Sequence, residues 1–123
     1  MKVYEYKQCS TCAKALKWLD AKGVKYERVP IVDQPPTKTE LKTMLAALEK
    51  RGGSFKNLFN TSGVQYRELG ISDKIKAGMT ANEAIDLLAK NGKLIKRPFV
   101  PDQGLVGFKE DEWQKSFKSS LKS

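Results

Sequence analysis

The spacing of apolar residues changes period twice within the first thirty positions. Lys2–Tyr6 alternates Val3 with Glu5 and carries two tyrosines, which predicts a strand. From Thr11 to Lys22 the residues Cys12, Ala15, Leu16 and Leu19 recur at helical spacing, and Gly23 supplies the stop. Tyr26–Val32 is β-branched and aromatic, a second strand in which Pro30 implies an edge or a late break. Strand, long crossover and strand make a parallel βαβ unit.

The rest of the chain repeats the alternation in a different order. Asp33–Pro36 reads as a turn. Thr37-Lys38-Thr39-Glu40 has the form of a capping box, with Leu41, Met44, Leu45 and Leu48 on one helical face behind it, and Gly52-Gly53 ends that helix. Phe55–Asn60 and Val64–Leu69 predict short helical pieces, the second closed by Gly70. Thr80-Ala81-Asn82-Glu83 is another capping box, opening a helix with Ala84, Ile85, Leu87 and Leu88 that runs to Asn91-Gly92. Leu94–Val100 predicts a strand entered through Pro98, Gln103-Gly104 a turn, and Leu105–Phe108 the returning strand of a hairpin. Glu110, Asp111 and Glu112 open a last helix with Lys115, Lys118 and Lys122 toward its end, a charge order that complements the helix dipole. The expected fold is α/β, a mixed sheet in the order βαβ, a helical insertion over about 36–92, then ββα. No linker or repeat divides residues 1–123.

Composition narrows the class. With 40% hydrophobic and 30% charged residues, a chain of 123 can bury one core without disulfide staples or a structural metal. The N-terminus alternates like a strand instead of carrying the apolar run of a signal peptide, and no run approaches a membrane span, so a soluble, cytoplasmic protein is expected. The net charge of +9 favours acidic partners. Many of its lysines fall on outward helical positions (Lys14, Lys17, Lys22, Lys42, Lys90), the pattern of solvated faces, and no nucleic-acid-binding motif accompanies them. Direct nucleic-acid binding is therefore not expected.

The chemistry is limited by two cysteines and no histidine. Two thiolates are too few for a zinc site. Cys9 and Cys12 form a CxxC between the first strand and the first helix, the thioredoxin-like placement. A thiol reacts as its thiolate, and unpaired amides at a helix N-terminus stabilise that anion. Cys9 is the outer cysteine. Ser10 and Thr11 add hydroxyl donors, and Lys7 and Lys14 lie near enough in sequence to add charge. Cys12, one turn on, is placed to resolve a mixed disulfide at Cys9, or else to pack as an ordinary buried thiol. Arg97 offers a fork for oxyanions or for a surface ion pair. Asn60-Thr61-Ser62-Gly63 reads as a polar turn. Trp18 and Trp113 fit a partly buried core.

Tyr6-Lys7-Gln8-Cys9-Ser10-Thr11-Cys12-Ala13-Lys14-Ala15 resembles the opening of the arsenate reductase family, which also contains Spx-type regulators and YffB-like proteins. Pro35-Pro36-Thr37, Leu58-Phe59-Asn60-Thr61, Tyr66-Arg67-Glu68-Leu69, Ile95-Lys96-Arg97-Pro98 and Val106-Gly107-Phe108 extend the resemblance in order over nearly the whole chain. It implies a thioredoxin-like, glutaredoxin-like fold with Cys9 as nucleophile, Arg97 holding an oxyanion and Pro98 at a position usually cis. Ser10, Thr11 and Asn60 would join Pro98 on the substrate side. The reductases take electrons from glutathione and glutaredoxin or from thioredoxin, so a small oxyanion or thiol substrate and a redoxin partner are implied. Two departures stand out. One branch has arginine where this chain has Asn60, another where it has Ser62, and a further reductase arginine near Val106-Gly107-Phe108 is absent. The CxxC is typical of the Spx-type regulators, whose partner is RNA polymerase.

Overall fold

The computed structural model describes residues 1–118; Lys122, assigned above to the end of the last helix, lies outside the described residues. Strand β1 (Lys2–Glu5) leads to helix α1 (Ser10–Ala21) and strand β2 (Glu27–Pro30), which pairs parallel to β1. Next come α2 (Lys38–Lys50), a 3-10 turn at Phe55–Leu58, α3 (Val64–Glu68), α4 (Ile71–Lys76) and α5 (Ala81–Lys90). The chain then returns to the sheet through β3 (Phe99–Val100) and β4 (Leu105–Val106), and α6 (Glu110–Ser116) follows as the last element among the described residues. The sheet order is β2-β1-β3-β4, parallel on one side of β1 and antiparallel on the other. This is the α/β arrangement expected from the residue pattern and the thioredoxin-like fold that the resemblance implied.

Alternation in β1 separates the two cores. Val3 faces Ala15, Leu16, Trp18 and Leu19 of α1 and Trp113 and Phe117 at the end of the chain. Tyr4 faces the opposite side, with Leu41, Met44 and Leu48 of α2 and Ala84, Ile85 and Leu88 of α5. Its ring meets Phe99 edge-on at 5.8 Å across the antiparallel pair. Both tryptophans are core residues, Trp113 fully buried and Trp18 nearly so. Lys14, Lys17, Lys22, Lys42 and Lys90 are exposed.

Two predicted elements take a different form. The segment Leu94–Val100 is not one strand: Gly92–Leu94 is a 3-10 turn, Ile95 makes an isolated bridge to Phe59, and only Phe99–Val100 joins the sheet. The cause is local. Pro98 has no amide to give a ladder. The peptide before it is cis. The returning strand is likewise Leu105–Val106, because Gly107 adopts a left-handed φ of +74° and turns the chain away.

Candidate active site

Cys9 is the N-cap of α1. Its backbone is extended (φ −93°, ψ 112°), and its sulfur accepts the Cys12 amide at 3.3 Å. The Cys9 amide donates to the Tyr6 carbonyl at 3.0 Å, closing the turn that carries the sulfur to the helix mouth. Cys9 is half-buried; Cys12, one turn along, is 1% exposed. Burial first, and then its hydrogen bond to Cys9, push the Cys12 thiol up to about 12 from an ordinary 9.0. Both thiols are free.

Across from the helix mouth, residues 58–60 run beside 94–96. The Asn60 amide donates to the Leu94 carbonyl at 2.7 Å and the Lys96 amide to the Leu58 carbonyl at 2.8 Å. That pairing sets Asn60 beside Lys96 and Arg97 on the wall of a cavity of about 330 Å³, which Cys9, Thr11 and Ser62 also line. The guanidinium of Arg97 lies 4.7 Å from the centre of the Tyr6 ring, a cation–π geometry, and donates to the Lys93 carbonyl at 3.4 Å. Among the described residues it has no carboxylate partner, so its charge is open to the cavity. Pro98 is buried behind that wall, its carbonyl accepting the Gly107 amide at 2.8 Å. Ser10 is exposed on the first turn of α1 and is not part of the cavity lining.

Cys9 and Thr11 at the helix mouth thus share one cavity with Asn60 and Arg97 from distant parts of the sequence, while Cys12 is not among its lining residues. Sequence reasoning missed Lys96 and Lys109, which line the same space. The stem of Lys96 crosses Gly107 so closely that a Cβ there would lie 2.8 Å from its Cε. Neither lysine has a distinguishing sequence signal, since each sits among many lysines and gains its place only where Gly107 turns the chain after β4. Among the described residues no three of His, Cys, Asp or Glu converge as metal ligands, and no helix is long and apolar enough to cross a membrane.

A four-stranded mixed sheet with a cysteine capping the helix after β1 defines a thioredoxin-like protein. The chain belongs to the ArsC family, whose model matches residues 4–116. An uncharacterised protein of Bacillus subtilis, YusI, is 45% identical over 116 residues, 93% of this chain and 95% of that protein. A crystal structure from Bacteroides fragilis, described as ArsC-family related, superposes with a TM-score of 0.80 at 45% identity, covering 94% of this chain and 95% of its own. The global transcriptional regulator Spx of Streptococcus pyogenes serotype M1 is 30% identical over 106 residues, 85% of this chain and 75% of that protein.

Proposed function

We propose that this chain is a thiol-disulfide oxidoreductase in which Cys9 is the nucleophile, Cys12 the resolving thiol and Arg97 the electrostatic anchor. The observation that carries the reading is the Cys9 sulfur, held by a helix amide at the edge of a cavity whose charged lining is cationic. The Cys9 thiolate attacks one sulfur of a substrate disulfide and the other sulfur leaves as a thiolate. Cys12 then gives up its proton and displaces the substrate from Cys9, so the chain ends as a Cys9–Cys12 disulfide and the substrate gains two electrons. An external thiol, glutathione with glutaredoxin or else thioredoxin, returns those electrons, which suits a cytoplasmic setting. Burial keeps Cys12 protonated until the mixed disulfide gives it a target. Thr11 and Asn60 face the substrate, Ser10 flanks the entrance, and Pro98 supports the wall.

Arsenate fits less well than a disulfide. Of the family's oxyanion arginines only Arg97 is matched, and Lys96 and Lys109 are point charges instead of planar forks. The test is turnover of hydroxyethyl disulfide, and separately of arsenate, with each electron donor. Disulfide turnover lost in Cys9→Ser, and a mixed disulfide accumulating in Cys12→Ser, is the expected outcome. Turnover surviving in Cys9→Ser overturns the reading.

A second reading follows from a specific likeness. Spx is a transcriptional regulator, and this chain carries the CxxC that the resemblance gives as typical of such regulators. On that reading a Cys9–Cys12 disulfide switches binding to RNA polymerase. Absence of turnover, together with polymerase capture that changes on oxidation, would favour it.

A further inference from the structure

The cations of the Cys9 cavity continue past it. A neighbouring hollow of about 250 Å³ shares Lys96, Val106 and Lys109 with that cavity and adds Arg51 at its far side. The two form one groove leading from Cys9 past Lys96 and Lys109 to Arg51. Its charged lining is Arg51, Lys96, Arg97 and Lys109 against a single carboxylate, Glu112. None of the four cations is in an ion pair among the described residues. Three of them are held in place: Arg51 by the Gly104 carbonyl at 2.8 Å, Lys96 by its stem on Gly107, and Arg97 by the Tyr6 ring.

We propose that this groove docks an acidic stretch of polypeptide flanking the disulfide that Cys9 attacks. The inference rests on the oxidoreductase reading and names its substrate class. A small oxyanion needs several donors converging on one point, whereas these cations are strung along two adjoining hollows. Such spacing suits carboxylates on successive side chains of an extended peptide, which charge attraction would steer toward the groove. In the exchange, a Cys9–peptide sulfur bond forms as the peptide's own disulfide breaks. Cys12 then releases the peptide as a dithiol, and the chain retains the disulfide.

The test uses the full chain, reduced in advance, and stoichiometric peptides that share one intrachain disulfide and differ only in flanking Glu or Gln. At low ionic strength the acidic peptide reacts about tenfold faster than the neutral one, and about 0.5 M NaCl removes most of that advantage. Lys109→Glu, at the exposed N-cap of α6, brings the ratio of the two rates to near one or below. Lys90→Glu, an equal charge change at the end of α5, leaves the ratio close to that of the unaltered chain. Equal rates for the two peptides, or an equal fall of the ratio in Lys90→Glu and Lys109→Glu, would overturn the groove. If the chain reduces neither peptide, the oxidoreductase reading fails and the inference falls with it.

Discussion

Two cysteines three residues apart have opposite surroundings, and the difference is a matter of helix geometry. Cys9 caps α1 and meets an amide at the cavity edge; Cys12 points into the interior and is 1% exposed. Displacement of the Cys12 thiol to about 12 from 9.0 means that at pH 8 its thiolate fraction falls about a thousandfold below that of an ordinary cysteine. Iodoacetamide at pH 8 is therefore expected to label Cys9 and leave Cys12 unmodified, with peptide mass spectrometry as the readout. Labelling of both at similar rates would contradict the buried placement. The same raised thiol makes the fold less stable in alkali. The native state holds the Cys12 proton while the unfolded chain loses it, so stability falls as pH rises from about 9 toward 12. The placement of both cysteines at a strand-to-helix junction was legible in the sequence, whereas the burial of Cys12 was left open there. The lysines of the groove were not legible: Lys96 and Lys109 matter only because the left-handed Gly107 turns the chain between them.

At the scale of elements, local chemistry was most legible where it was self-contained. Both predicted capping boxes form, Thr37 with Glu40 and Thr80 with Glu83. The first has a second task. Glu40 accepts the Thr37 amide at 3.0 Å and the Tyr4 hydroxyl at 2.7 Å, tying the start of α2 to β1. Burial alone would raise its carboxyl, but the Thr37 amide, the Tyr4 hydroxyl and Lys2 together outweigh burial and hold it below the ordinary carboxylate value. A lowered carboxylate stabilises the fold above its unfolded pKa, and that contribution is lost as pH falls through the folded one. Glu40→Gln is thus expected to lower the unfolding midpoint at pH 7, and the difference from the unaltered chain is expected to shrink as pH falls through the acid range. Helix α4 escaped the pattern because it is short and only Ile71 in it is fully buried, too few apolar positions to establish a period. The 3-10 turn at Gly92 was equally hidden, since it depends on a partner sixty residues earlier. A Cβ on Gly92 would overlap the Ile31 carbonyl oxygen. Gly92→Ala is expected to cost about 3 kcal/mol, measured by urea unfolding, because only backbone movement can relieve the overlap.

The whole molecule joins its last helix to the wall of the cysteine cavity. Trp113 of α6 donates its indole N–H to the Gly107 carbonyl at 3.0 Å, and the Gly107 amide donates in turn to Pro98. Around it Trp18, Phe108 and Phe117 pack at ring separations of 5.0 to 6.0 Å, closing the core on the α1 side of the sheet. Trp18 is a natural control. It is as aromatic and nearly as buried, yet its indole nitrogen has no partner among the described residues. Phenylalanine at either position removes a similar apolar area. At Trp113 it also leaves the Gly107 carbonyl without its indole donor, a penalty of about 1–3 kcal/mol, whereas at Trp18 it removes a buried donor that gained nothing. Trp113→Phe should therefore destabilise the chain by more than Trp18→Phe, by roughly that margin. On the oxidoreductase reading, disulfide turnover supplies the second measurement. Loosening Gly107 disturbs the wall but not the helix mouth, so Trp113→Phe should slow turnover while leaving the rate of Cys9 alkylation unchanged. Equal stability losses for the two variants would mean that the indole–Gly107 bond does not brace the site.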